Sequence, residues 1–276
     1  MSKADQIFID MCDNILNNGF SSQGQEVRAR WEDGSPAHTI KAFGVVNRYD
    51  LSEEFPILTL RPTPIRLCVD ELLWIWQKKS NRIADLNSHI WDSWANADGN
   101  IGKAYGYQMG VKSAFPQGEM DQVDNVLWLL KHAPYSRRIL TNIYNFSDLH
   151  EMGLEPCAYS MTFNVTGNSL NAILNQRSQD ILTANNWNVV QYAVLVHMLA
   201  QVSGLEAGEL IHVISDAHIY DRHIDMIIEM ISRPAYPAPT FRLNPEIKDF
   251  YDFTIDDASL AGYTANPQIT GIPVAI

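Results

Sequence analysis

Between residues 4 and 18 the apolar side chains Phe8, Met11, Cys12, Ile15 and Leu16 recur at three- and four-residue spacing. That repeat marks one face of an α-helix, and Asn18-Gly19 supplies the stop. Residues 33–37, Asp-Gly-Ser-Pro-Ala, read as a turn. Thr39 to Tyr49 reads as a strand pair or one bent strand. Val69 to Trp76 reads as a strongly apolar helix, and Asp98-Gly99-Asn100 with Gly102 as a loop. Asp121 to Lys131 reads as a second amphipathic helix. Beyond Arg138 the period shortens. Ile139–Tyr144, Ala158–Val165 and Leu170–Gln176 read as strands, with a Gly167-Asn168 turn between the last two. A buried helix over Asn188–Val202, a strand over Glu209–Ile214, a helix over Tyr220–Ser232 and a strand over Pro239–Leu243 complete the pattern. Strands and helices are interleaved without regular alternation and no linker divides them. The expected fold is therefore a single α+β domain over residues 1–276, built on a mixed sheet.

Composition narrows the picture. A hydrophobic fraction of 46% over 276 residues is enough for a substantial core. The net charge of −12 argues against a broad nucleic-acid surface. It leaves room for a phosphorylated small molecule, because a few converging arginines hold a phosphate whatever the global sign. The apolar run Val189–Leu205 is interrupted by Gln191, His197 and Gln201, which fits a buried helix rather than a membrane span. Three cysteines without a Cys-x-x-Cys spacing give neither a disulfide framework nor a zinc signature. With no apolar leader after Met1, the expected location is the reducing cytoplasm.

Candidate chemistry gathers at a few places. A lone cysteine usually reads as a small buried hydrophobe, as Cys12 and Cys68 do, whereas Cys157 follows Glu155-Pro156 at the mouth of a strand. A reactive thiol needs a nearby cation, and Arg137, Arg138 and Arg177 are candidates. Gln176-Arg177-Ser178-Gln179-Asp180 packs a cation, a hydroxyl and a carboxylate at a strand end. Asp216, His218 and Tyr220 alternate after an apolar strand, and they share one side if that strand continues. The neighbourhood of His218 and His223 does not match a familiar metal-ligand spacing. Trp91 and Trp94, three apart, would share a face on a helix. Glu71 borders Leu72-Leu73-Trp74, where burial would raise its pKa and fit it for proton transfer. No phosphate-cradling glycine loop and no nucleophile elbow occurs.

Taken in order, Glu71-Leu72-Leu73-Trp74, Ile90-Trp91-Asp92-Ser93-Trp94, Ala104-Tyr105-Gly106, Pro134-Tyr135-Ser136-Arg137-Arg138, Pro156-Cys157, Gln176-Arg177-Ser178 with Asp180, Trp187-Asn188, Asp216-Ala217-His218-Ile219-Tyr220 and Pro273-Val274-Ala275-Ile276 resemble the thymidylate synthase family over nearly the whole chain. The resemblance implies a large mixed β-sheet covered by helices. It also implies reductive methylation of deoxyuridine monophosphate (dUMP) at C5, with 5,10-methylenetetrahydrofolate as one-carbon donor and reductant. No metal is implied. Cys157 would add to C6 of the pyrimidine. Arg177 would lower its pKa and, with Ser178, bind phosphate; Arg137 and Arg138 would reach in from the partner of a homodimer. Asn188 would read the pyrimidine edge, and His218 and Tyr220 would bind the sugar. Glu71 would manage proton transfers and Tyr105 would help remove the C5 proton. Ile90, Trp91, Trp94 and Asp180 would hold the folate, with Ala275 and the Ile276 carboxylate closing the site. Neither a membrane nor a nucleic acid is an implied partner.

The sequence also departs from the family pattern. Ala158 stands where the family usually has His after the nucleophile. Ala184-Asn185-Asn186-Trp187-Asn188 replaces Gly-Leu-Pro-Phe-Asn, and Ser215-Asp216 replaces Gly-Asp. The usual phosphate loop, Asp-Arg-Thr-Gly-Thr, is replaced by residues 31–39, so its arginine is taken as Arg28, with Arg30 next. The rival reading on the same fold is a dUMP or dCMP hydroxymethylase, in which water rather than hydride completes the reaction. Asn188 speaks against the cytosine version, since the deoxycytidylate enzymes resemble this family with Asp there. A homologue acting only by binding is the rival from another class.

Overall fold

The computed structural model describes residues 1–276. In chain order the elements are α1 (Lys3–Asn18), β1 (Phe20–Ser21), β2 (Thr39–Asp50), α2 (Ile65–Trp76), α3 (Gly106–Gly110), β3 (Ser113–Phe115), β4 (Gly118–Met120), α4 (Gln122–His132), β5 (Leu140–Asn142), β6 (Ala158–Thr166), β7 (Ser169–Gln176), β8 (Gln179–Asp180), α5 (Asn185–Val202), β9 (Glu206–Tyr220), α6 (Ile224–Ile231), β10 (Thr240–Leu243) and β11 (Ala258–Ala261).

One mixed seven-stranded sheet organises the molecule, in the order β1-β2-β9-β7-β6-β5 with β8 pairing β9. β6 and β7 form an antiparallel hairpin, whereas β7 and β9 run parallel. A parallel pair needs a crossover. α5 supplies it and lies on the covered face, where Val189, Val190, Ala193, Val194 and Val196 are fully buried. α2 packs against α5 and is buried along all of Cys68–Trp76. The covered face shows period-2 burial: Leu170, Ala172, Leu174 and Gln176 of β7 and Leu210, His212 and Ile214 of β9 point inward. Their neighbours Ile173, Ile211 and Val213 lie on the opposite face, which no helix covers and which leaves them only half-buried.

Several boundaries differ from the pattern-based expectation, each for a local reason. Residues 39–50 make a single strand, with Gly44 at φ +76° dropping out of the ladder between Phe43↔Asp216 and Val45↔Ile214. α2 starts at Ile65, directly after Pro64, rather than at Val69. In α4, Asp121 is the cap, its side chain accepting the Asp124 N–H at 3.0 Å. The strand expected over Ile139–Tyr144 is only Leu140–Asn142. α5 begins at Asn185, so Asn188 lies in its first turn instead of starting it. β9 runs on to Tyr220. The helix expected from Tyr220 is a 3-10 turn, Asp221–His223, followed by α6. Trp91 and Trp94 do not sit on an α-helix; Trp91 precedes a 3-10 turn over Asp92–Trp94. No helix is long and apolar enough to cross a membrane.

Candidate active site

Cys157 lies just before β6, and Arg177 just after the paired β7. The hairpin therefore brings them together: the Arg177 N–H donates to the Cys157 carbonyl at 2.9 Å. The Arg177 guanidinium donates to the Pro156 carbonyl at 3.0 Å and to the Glu155 carbonyl at 2.7 Å. That fixes a cation beside the thiol. Burial pushes the Cys157 pKa up, while Arg177 and Arg28 oppose it. Cys12 and Cys68 are fully buried, and burial raises both far above the ordinary thiol value. Cys157 is the only one of the three cysteines that is not buried.

The Cys157 backbone N–H donates to the Tyr105 hydroxyl at 3.1 Å. Tyr105 sits at φ +43°, a conformation L-residues rarely adopt, beside Gly106, where a side chain would run into the Ser80 carbonyl. Burial, followed by the charge on Cys157, raises the Tyr105 pKa. The ring packs edge-on against Trp91 at 4.8 Å, and Trp91 packs against Trp94 at 5.7 Å. Trp91 in turn donates its indole N–H to Glu71 at 2.5 Å. Glu71 is 5% exposed, and burial raises its pKa against the pull of its hydrogen-bond donors.

From Glu71 a row of amides crosses the floor of the site. Gln191 donates to Glu71 at 2.5 Å and accepts from Asn188 Nδ2 at 3.3 Å. Asn188 Oδ1 accepts from Gln176 at 3.0 Å, and Gln176 Oε1 meets His212 Nε2 at 2.7 Å. Because Gln176 spends its NH2 on Asn188, its oxygen is the acceptor, and His212 carries its proton on Nε2. Burial drops the His212 pKa to about 3, which keeps the ring neutral. Asn188 is thereby held in one orientation, with one lone pair and one N–H left for a ligand.

The continuation of β9 puts Asp216, His218 and Tyr220 at alternating positions, as expected for a continuing strand. His218 Nδ1 lies 2.8 Å from Asp216, and its ring is 5.0 Å from Tyr220. Burial and the Asp180 charge raise the Tyr220 pKa to about 12. Asp180 accepts from the Leu182 and Thr183 amides at 3.0 and 3.2 Å and lies 3.7 Å from His223. Burial opposes ionisation of Asp180, but His223 and Thr183 outweigh it and its pKa falls; His223, also opposed by burial, is raised by Asp180. His223 Nε2 contacts the Pro273 carbonyl at 2.8 Å, and Ile276 exchanges two backbone hydrogen bonds with Arg30, at 2.8 and 2.9 Å. The C-terminal segment is thus clipped to the 22–38 loop. Ser178 is half-buried beside Arg177, Ala275 is half-buried, and Ile90 is 40% exposed near Trp91. Arg137 and Arg138 are exposed on the loop before β5, and neither forms an ion pair within the chain.

Sequence reasoning passed over Trp187, Gln191, Gln176, His212 and His223 as site residues. One signal was available: Gln191 and His212 are polar residues inside apolar runs, and buried polar groups need partners.

The family model described as thymidylate synthase matches residues 6–276. The chain is 45% identical over 268 residues to Thymidylate synthase 1 of Bacillus subtilis strain 168, covering 95% of this chain and 96% of that protein. It is 44% identical to the thymidylate synthase of Bacillus phage phi3T, over 95% of this chain and 96% of that one. The solved structure of thermostable thymidylate synthase A from Bacillus subtilis superposes with a TM-score of 0.94 at 42% identity, over 99% of both chains. With the family model spanning residues 6–276 and relatives 45% identical over nearly the whole chain, the chain belongs to the thymidylate synthase family.

Proposed function

We propose that the chain carries out reductive methylation of dUMP at C5, and that the convergence of Cys157, Arg177, Arg28 and the oriented Asn188 amide is the observation that carries this reading. Arg177, Arg28 and Ser178 bind the phosphate, and His218 and Tyr220 take the sugar. Asn188 accepts from N3–H and donates to O4 of the uracil, which fixes the ring with C6 over Cys157. Addition of the thiolate to C6 makes C5 nucleophilic. Tyr105, held on the Cys157 backbone, helps take the C5 proton, and Glu71 relays protons through water.

The groups present suit a folate. Asp180 is an ionised acceptor for its N–H groups, and Trp91 and Trp94, with Ile90, offer apolar surface beside it. Bound methylenetetrahydrofolate supplies the one-carbon unit and the hydride. Ala275 and Ile276 close over it, and Trp91 shields the reacting carbon from water. The uncovered sheet face, with Val46 at 52% exposure beside Ile173, Ile211 and Val213, supports a homodimer. In that dimer Arg137 and Arg138, unpaired in their own chain, reach the partner's phosphate.

The test is the absorbance rise of dihydrofolate on mixing protein, dUMP and methylenetetrahydrofolate. A rise that requires dUMP, and that Cys157→Ser lowers by at least about three orders of magnitude, is the expected result. Folded protein that binds dUMP but yields no dihydrofolate overturns the reading in favour of hydroxymethylation or binding alone.

A further inference from the structure

Glu71 has only 5% of its surface exposed, and three side chains converge on its carboxylate. Trp91 donates its indole N–H to Oε1 at 2.5 Å. Trp187 donates its indole N–H to Oε2, and Gln191 donates Nε2–H to the same oxygen at 2.5 Å. Trp187 and Gln191 stand four residues apart on α5, so they project from one face of that helix towards α2.

The chemistry of the three donors is one-sided. An indole nitrogen has a hydrogen to give and no lone pair to offer. Two of the groups around Glu71 can therefore only donate. The Gln191 amide could in principle turn its oxygen inward, but that oxygen is taken by Asn188 Nδ2 at 3.3 Å. A protonated Glu71 would bring an O–H to a place that holds no acceptor, and it would strand at least one donor. The ionised carboxylate satisfies all three.

We propose that Trp187 and Gln191 are positioning residues for Glu71: with Trp91 they form an all-donor cradle that selects its ionised form, and Gln191 couples that carboxylate to the base-reading Asn188. This rests on the reading of Glu71 as the proton-handling group. The opposing effects on its acidity agree with the geometry: burial, and to a smaller extent the neighbouring Asp70 charge, raise its pKa, and each of the three donors pulls it back without fully cancelling them. Removing a donor leaves burial less opposed, so the pKa climbs and the ionised form is lost at a higher pH.

The test is the pH profile of kcat/KM for dUMP in Trp187→Phe, Gln191→Leu and Glu71→Gln, with dUMP binding to each measured alongside. Trp187→Phe keeps an aromatic ring and Gln191→Leu keeps the volume. Each is expected to move the acid limb up by about one pH unit, the scale of one charge-assisted hydrogen bond. Trp187→Phe should leave KM for dUMP near its starting value, while Gln191→Leu raises it as well, because Asn188 loses a partner. Glu71→Gln should abolish the limb. A limb that survives in Glu71→Gln refutes the role of Glu71, and the cradle with it. If Glu71→Gln removes the limb while both other variants keep it at the original pH, the cradle alone is refuted.

Discussion

Arg28 and Arg30 are two positions apart on one loop, yet their guanidinium groups are differently employed. Arg30 folds back on the chain, donating to the carbonyls of Val27, Arg28 and Ala29, and its backbone clips Ile276. Arg28 stays within electrostatic reach of both Cys157 and Tyr220, partly offsetting the burial that raises the pKa of each. Arg28→Ala is therefore expected to raise KM for dUMP by roughly 10- to 100-fold, the loss of one charged hydrogen bond. Arg30→Ala should change it much less; steady-state kinetics of the pair decide between them, and equal effects would reject the assignment of Arg28. At this scale the sequence was informative where chemistry is local. Cys157 stood out because it follows the polar, Pro-marked entrance to a strand, unlike Cys12 in its apolar stripe. It was silent where function depends on a distant donor. Nothing around Trp187 in the sequence says that its indole N–H meets a carboxylate that lies 116 residues away along the chain.

Among the elements, hydrophobic period sufficed for α1, whose buried Phe8, Met11, Cys12 and Ile15 match the stripe read from the sequence. It failed at the end of β9. There the polar Asp216, His218 and Tyr220 replace the apolar alternation, so the pattern ends at Ile214 while the strand continues. It also failed after Tyr220, where His223 turns its ring inward to Asp180 and Pro273, leaving a 3-10 turn before α6. The short elements β1, β3, β4, β8 and α3 gave no readable period at all. α3 shows how tightly such a piece is built. It begins at Gly106, where a methyl group would meet the Ser80 carbonyl, directly after the strained Tyr105. Gly106→Ala should cost more than about 2 kcal/mol and lower the melting temperature by roughly 5 °C. It should also slow turnover, because Tyr105 would move off the Cys157 backbone. A variant with unchanged melting and rate would show that the helix start can shift without consequence.

For the whole molecule, the sheet is two-sided in an unequal way: helices bury one face, and the other presents Ile173, Ile211, Val213 and Val46 to its surroundings. This is the face proposed above as the surface between two copies of the chain. Ile211→Lys is expected to give a folded monomer by sedimentation velocity, with activity lost because Arg137 and Arg138 no longer reach a neighbour's phosphate. A fully active monomer would sink the shared-site model. The overall class, one α+β domain on a mixed sheet, was legible in the sequence from the irregular order of helical and strand periods. The strand order was not, because the parallel β7–β9 pairing depends on where α5 packs, and no local pattern encodes that.

The amide row has one more consequence. From His212 through Gln176, Asn188 and Gln191 to Glu71, every group hands a hydrogen to the next in the same sense. Such a row has a single polarity, shared by all its members and anchored at both ends, by a ring that can only give at Nε2 and a carboxylate that can only receive. It behaves like a compass needle fixed at its two tips. In the function proposed above, the choice between uracil and cytosine would then be held in common rather than by Asn188 alone, and His212, on a strand rather than on the helix that carries Asn188, would belong to the reading of the base as much as the residue proposed to touch it.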